Sequence, residues 1–410
     1  MKTYFKISIF SLIVLLNLSF NLQAQEKLTD KINFIDCYYE NASPIIWNAQ
    51  GDTAIKIDFL YDYERGSTNR QSTHFNFKIE AEPGTELNLI LSGFRNIYNG
   101  RINTSYGRPK QNVSCYFSED YKNWEAVETS SVLTNDFDLQ VKYKMKTSSV
   151  YIAKLPVYSL THLETFKKEI AKNELVKILK IGMTVENRPL EIIRVGNPNA
   201  RNSVLIRARS HPWEPGGNWV IEGLVKDFIE NPNKQTSQIC YYILPMANKD
   251  GVFRGMTRFN VNGSGLNRGW GLEADSILTP ENYYLEKFIK KLILQDKKPD
   301  FLIDFHNDNY GNIHVSKPKE NDTKYNQNID QFYKLMLEKT WFSGKLQKVY
   351  TTDPKRHSIA AGLYERYNIT ACVFELNGDW IEKLEKIPDV EDWQQLGKGI
   401  NDVFYKYFLE

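Results

Sequence analysis

His211-Pro212-Trp213-Glu214 sets an imidazole and a carboxylate three residues apart, directly after an apolar run and before a stretch of helical period. On a tight turn both side chains can face one metal ion, and zinc accepts such nitrogen and oxygen ligands at about 2.0–2.2 Å. A catalytic zinc needs a third protein ligand and one open position. The chain has 6 histidines, at positions 74, 162, 211, 306, 314 and 357. His306 follows Phe301-Leu302-Ile303-Asp304-Phe305, at what reads as the carboxyl end of a strand, where open α/β sheets gather their ligands. His314 is an alternative ligand on the strand expected next, and a purely structural imidazole is the plain alternative for His306. Glu375 follows another apolar run, Ala371-Cys372-Val373-Phe374. A carboxylate beside a metal centre can take the proton of an attacking water and pass it to a leaving amine. A surface carboxylate after a strand is the competing reading.

Between these motifs lies a glycine-rich stretch, Asn248 to Trp270, carrying Arg254, Arg258 and Arg268. Its five glycines argue against regular helix or strand. Guanidiniums on such a loop are either solvated surface or the cations that oppose a developing oxyanion and a substrate carboxylate.

Residues from about 27 to 158 alternate in the manner of strands, as in Ala54-Ile55-Lys56-Ile57-Asp58-Phe59 and Thr73-His74-Phe75-Asn76-Phe77-Lys78-Ile79, with turn residues between the runs. That pattern predicts an antiparallel β-sandwich. From about 163 onward strands alternate with helices. Strands are expected at 204–208, 239–244, 301–305 and 371–374, and helices at 219–229, 283–294, 329–339 and 393–408. The alternation predicts an α/β fold: a central, mostly parallel sheet flanked by helices on both faces.

The chain of 410 residues carries 52 Lys and Arg against 50 Asp and Glu. Residues 1–24 read as a signal peptide: Lys2 and Lys6, an apolar run over 7–20, then Leu22-Gln23-Ala24; an N-terminal membrane anchor is the alternative, although the run is short for a span of about 20 residues. Its removal takes away two lysines and no acid, which levels both totals at 50. A balanced mature chain argues against nucleic acid as a partner, and no later run approaches the length of a membrane span. The expected location is therefore periplasmic or extracellular. The cysteines at 37, 115, 240 and 372 match no metal-binding spacing. Cys240 and Cys372 read as buried thiols; Cys37 and Cys115 can pair in an oxidising compartment or remain free.

Taken together, these motifs resemble the M14 zinc metallocarboxypeptidases, most of all the cytosolic-carboxypeptidase subgroup with its N-terminal β-sandwich. Ala208-Arg209-Ser210-His211-Pro212-Trp213-Glu214 resembles that subgroup's ARxHPGE signature. Asp304-Phe305-His306 resembles its third-ligand strand and Phe374-Glu375 its catalytic-glutamate strand. Asp250-Gly251, Arg258 and Leu266-Asn267-Arg268 keep its order and spacing. The resemblance implies one zinc per chain held by His211, Glu214 and His306, with Glu375 as general base. It implies Arg258 as the oxyanion's partner, and Asn267 and Arg268 as the grip on a C-terminal carboxylate. After the signal peptide read at 1–24, it divides the chain into a sandwich domain (25–160) and a carboxypeptidase-like α/β domain with a mixed, mostly parallel sheet (161–410).

Three positions depart from the subgroup. Gly265 stands where an Asp usually partners a zinc-ligating His; either metal affinity drops or another acid, such as Asp304, orients the ring. No tyrosine matches the family's mobile-loop Tyr, although Tyr350, Tyr364 and Tyr367 are candidates. The basic residue that selects acidic side chains falls near 358–361, where Ile359, Ala360 and Ala361 are apolar; Lys355 and Arg356 lie close by. The expected reaction is hydrolysis of a C-terminal peptide or isopeptide bond, in environmental or cell-wall peptides with a free carboxylate. A zinc-dependent deacylase of N-acyl amino acids and an inactive peptide- or carbohydrate-binding protein are the alternatives.

Overall fold

The computed structural model describes residues 28–409, apart from positions 66, 68, 95, 99–100, 104–113, 132–137, 232–237, 318 and 320–321. The expected signal peptide lies outside the described residues.

The first half is a stack of short strands: β1 (Ile32–Asp36), β2 (Ile45–Ala49), β3 (Ala54–Phe59), β4 (Asn76–Ala81), β5 (Glu86–Ser92), β6 (Asn96–Tyr98), β7 (Arg101–Asn103), β8 (Ser114–Ser118), β9 (Glu125–Glu128), β10 (Ser130–Ser131), β11 (Leu139–Lys144) and β12 (Ser149–Ala153). They form two five-stranded sheets, ordered β1-β4-β12-β8-β9 and β10-β11-β5-β3-β2, with β6 and β7 as a separate hairpin. Alternation drives the packing. Ile55, Ile57 and Phe59 of β3 and Leu87, Leu89 and Leu91 of β5 point inward, where Phe77, Ile79 and Ile152 meet them. One pair departs from the antiparallel expectation: β3 and β5 run parallel, because β4 between them in sequence belongs to the other sheet. Cys37 and Cys115 are unpaired, as are the buried Cys240 and Cys372.

The second half continues with α1 (Leu160–Ile170), β13 (Val176–Met183), β14 (Pro189–Gly196), β15 (Asn202–Ala208), α2 (Gly216–Glu230), β16 (Ile239–Leu244), α3 (Lys249–Phe253), α4 (Pro280–Leu294), β17 (Phe301–Asp308), β18 (Asn312–Ser316), α5 (Thr323–Lys339), β19 (Lys345–Val349), α6 (Ile359–Tyr367), β20 (Thr370–Asn377) and α7 (Val390–Leu409). Eight strands form one sheet, ordered β13-β14-β16-β15-β17-β20-β18-β19. The pairs β16–β15, β15–β17, β17–β20 and β18–β19 are parallel and the other three antiparallel. The central strands are buried on both faces, which is why they read as unbroken apolar runs. Val204, Ile206, Ile303, Cys372 and Phe374 enter the core shared with α2, α5 and α7. Leu205, Leu302, Ala371 and Val373 enter the one shared with α4 and α6.

Two sequence expectations shift. Strands β17 and β20 do not end where their apolar residues stop. They continue to Asp308 and Asn377, so His306 and Glu375 sit inside the ladder rather than at its ends. In this extension Asn307 Nδ2 donates to Leu376 O at 3.3 Å and Asn377 Nδ2 donates to Trp380 O at 2.8 Å. The glycine-rich stretch is irregular except for α3, a single turn of helix whose cap is the Asn248 side chain, which accepts the N–H of Gly251 at 2.9 Å.

The two halves are joined by specific contacts. The Lys154 ammonium meets Asp379 Oδ1 at 2.9 Å with both side chains buried, and Asn41 Nδ2 donates to Val252 O at 2.8 Å.

Candidate functional site

The chain leaves β15 through Arg209, a non-glycine residue in the left-handed region at φ 59° with a buried side chain. Such a backbone is costly and is held by its surroundings. Arg209 O accepts the N–H of Asn248 at 3.0 Å, and Arg209 Nη1 donates to Asn218 Oδ1 at 3.4 Å. The turn swings His211 and Glu214 back toward β17. Helix α2 then packs against the sheet because its first residues are glycine. A Cβ on Gly217 would lie 2.6 Å from Phe305 Cβ, and Gly216 N donates to Asn307 Oδ1 at 2.9 Å.

His211, Glu214 and His306 converge, each offering a ligand atom within 4.8 Å of the others, and all three are buried. His211 Nδ1 lies 2.8 Å from Glu214 Oε1, and His306 Nδ1 lies 2.7 Å from Glu214 Oε2 and 3.1 Å from His211 Nδ1. Two imidazoles and one carboxylate in a buried cluster are a donor set that fits zinc, with a face left open to a cleft.

The supporting carboxylate is Asp304. Its Oδ2 stands 2.7 Å from His306 Nε2, which turns the other ring nitrogen toward Glu214. Asp304 is held in turn by Arg207, whose Nε and Nη2 each donate to it at 2.7 Å, all fully buried. Arg207 and Asp304 are register partners on β15 and β17. A charged residue inside the apolar run 204–208 was a visible signal of a buried partner that sequence reasoning passed over. Gly265, where the resemblance placed an acid, is near only the Phe259 ring, 3.8 Å from where a Cβ would be.

The electrostatics follow from this packing. Burial holds His211 down at about 3, so its ring is neutral. Burial opposes charge on Glu214 as well, but the two imidazoles outweigh it and bring the carboxyl down to about 2. Burial opposes charge on His306 too, yet Asp304 and Glu214 on its two sides push it up to about 10. Carboxylates thus stand on both sides of the His306 ring, an arrangement that favours a cation there. Burial pushes Glu375 up to about 8, aided by Asp308 and Glu214 and opposed by His306.

A cleft of about 480 Å³ opens over the cluster and is lined by His211, Glu214, Arg258, Asn267, Arg268 and Glu375. His314 lines it too but stands outside the three-residue group. Asn267 Oδ1 accepts the Ile359 N–H at 3.2 Å, and its Nδ2 stands 3.2 Å from His306 Nε2. Of the three tyrosines weighed, Tyr350 lines the cleft. Tyr364 donates its hydroxyl to Asp322 and Tyr367 donates its own to Glu286, both at 2.7 Å. Arg356 also lines the cleft, together with Lys317.

Sequence reasoning also missed Asp62 and Gln71, which reach the site from the segment between β3 and β4. Asp62 accepts the N–H groups of Thr257, Arg258 and Phe259, and Gln71 Oε1 accepts from Arg258 Nη1 at 3.2 Å. No local pattern marks them, since their partners lie nearly two hundred residues away.

Residues 163–364 match the zinc carboxypeptidase model of Peptidase_M14, a stretch that contains the three clustered residues and stops before Glu375. The chain is 24% identical over 239 residues to an uncharacterized protein of Zymomonas mobilis, covering 57% of this chain and 58% of that protein. It is 25% identical over 200 residues to human cytosolic carboxypeptidase 2, covering 45% of this chain and 22% of that protein. The chain thus spans less than two thirds of these relatives. The fold is shared with a metallo-carboxypeptidase from Burkholderia cenocepacia at TM-score 0.79 and 19% identity, covering 91% of this chain and 98% of that one. It is shared also with the Pseudomonas aeruginosa metallo-carboxypeptidase in complex with (2-guanidinoethylmercapto)succinic acid, at TM-score 0.74, 19% identity, and 91% and 98% coverage.

Proposed function

From the premise that this chain carries a zinc carboxypeptidase domain of the M14 family, we propose that it is a metallocarboxypeptidase removing residues from the free carboxyl end of peptides. The observation that carries the reading is the buried cluster of His211, Glu214 and His306 with Glu375 in register beside it. His211, Glu214 and His306 would hold zinc, which when bound supplies Lewis-acid polarisation of the scissile carbonyl and eases deprotonation of water.

The protein's own groups do the rest. Glu375 takes the proton of the attacking water and delivers it to the leaving amine. Arg258 sets its guanidinium against the developing oxyanion. Arg268, with Asn267, receives the terminal carboxylate, which a guanidinium can hold through two parallel N–H bonds. That grip selects chain ends, because an internal peptide bond has no carboxylate beside it. A free carboxylate next to an isopeptide bond satisfies the same contacts. The signal-like residues 1–24 support export, which makes environmental or cell-wall peptides the proposed substrates.

The test is mass spectrometry of a peptide mixture incubated with the full chain, with chelator, and with chelator followed by zinc. Stepwise loss of C-terminal residues, abolished by chelator and restored by zinc, is expected. A zinc-loaded protein that leaves every peptide intact, or that cleaves N-acyl amino acids instead, overturns the reading.

A further inference from the structure

The segment that joins β3 to β4 leaves the sandwich and lies across the glycine-rich loop of the catalytic half. Its contacts concentrate on residues 257–259. Asp62 Oδ1 accepts the Thr257 N–H at 2.9 Å, while Asp62 Oδ2 accepts those of Arg258 and of Phe259, the latter at 3.0 Å. Thr257 Oγ1 in turn accepts the N–H groups of Thr73 at 3.3 Å and His74 at 3.2 Å. Gln71 Oε1 accepts from the Arg258 guanidinium itself at 3.2 Å, and Gln71 lines the cleft. Further along, the Arg65 N–H donates to Gly263 O at 2.9 Å.

Three consecutive N–H groups on one carboxylate fix the backbone direction at Arg258, which has no helix or strand of its own to do so. A guanidinium on a long side chain stabilises an oxyanion only when its position is set in advance, since reorganisation during the reaction is what preorganised donors avoid.

We propose that Asp62 is a positioning residue for the reaction: with Gln71, it aims Arg258 into the cleft, so that the N-terminal sandwich completes the catalytic site of the other half. This rests on the reading of Arg258 as the oxyanion's partner.

Asp62→Asn is nearly isosteric and exchanges one acceptor oxygen for a donor. It is measured in the native background and in Arg258→Ala, on the peptide that the mixture experiment shows to be cleaved fastest, with zinc content checked in each protein. In the native background kcat falls by about tenfold or more with KM changed less than about threefold, because the lost interaction belongs to the transition state. In Arg258→Ala the same substitution changes kcat less than about twofold, since a residue acting through Arg258 has nothing left to act on. An equal loss in both backgrounds means a purely structural carboxylate and overturns the inference, as does an unchanged kcat in the native background. Full kcat in Arg258→Ala alone refutes the role of Arg258, and the inference falls with it. Should Asp62→Asn fail to fold, Gln71→Ala carries the same comparison, with a loss of about threefold expected only while Arg258 is present.

Discussion

His306 and Glu375 are register partners on the neighbouring parallel strands β17 and β20. Adjacent strands lie about 4.8 Å apart, and partnered residues project from the same face. A candidate metal ligand and a candidate proton acceptor are therefore placed side by side by the ladder alone. Two residues earlier on β17, Asp304 pairs with Arg207 of β15, on the same face. The sheet thus carries the candidate ligand, the carboxylate behind it and the candidate base in fixed register. Only His211 and Glu214 depend on a turn.

Glu375→Gln separates metal binding from chemistry. The variant keeps about one zinc per chain by elemental analysis and loses roughly 10²–10⁴-fold in kcat, the range for a missing general base. Full turnover would contradict the role given to this carboxylate.

Asp304→Asn weakens the support behind His306. Zinc affinity falls about 10–100-fold in competition with a chromophoric chelator. Asp304→Ala goes further, because it strands the buried Arg207 guanidinium. Stability then drops by about 3–5 kcal/mol in denaturant titration of the metal-free protein. Native affinity and stability in both variants would mean that the pair is not what holds the ring.

Arg268→Ala removes the proposed grip on the chain end. On peptides with a free C-terminus KM rises by roughly tenfold or more, with a smaller effect on kcat. C-terminally amidated peptides, which lack the carboxylate, are poor substrates of the native enzyme and are affected little by the substitution. Equal losses on both kinds of peptide would place the carboxylate elsewhere.

Glu281, in the first turn of α4, gives a pH signature away from the cleft. Burial pushes it up to about 7, against backbone N–H groups at Glu281 and Val185 and the Asn260 side chain, whose Nδ2 donates to Oε2 at 3.2 Å. The folded state therefore favours the proton. That contribution is complete below the unfolded value near 4.3 and is lost as pH rises through about 7. Relative to Glu281→Gln, the native protein should lose up to about 3 kcal/mol of stability between pH 4 and pH 8. Parallel stability–pH curves for the two proteins would show that Glu281 ionises freely.

The motifs were legible because each lies within a few residues of an element with clear periodicity. His211 and Glu214 follow the run ending at Ala208, His306 follows Phe301–Phe305, and Glu375 follows Ala371–Phe374. Buried parallel strands must be apolar, so polar residues at their ends stand out. Less legible were the strand lengths. Apolar character stops at Phe305 and Phe374, whereas backbone pairing runs on to Asp308 and Asn377. A parallel β3–β5 pair was invisible too, since alternation reveals which face a residue occupies but not which strand lies beside it.

By itself the sequence determined which residue types were available and on which kind of element each would sit, because periodicity and turn chemistry act over a few residues. Tertiary structure alone decided that Arg207 would grip Asp304 across 97 residues of chain and that Asp62 would hold the backbone at Arg258 across 196. Those contacts arise from which strands become neighbours and how the sandwich lies against the sheet. Both are set by burial summed over the whole molecule, and no short window of residues carries that information.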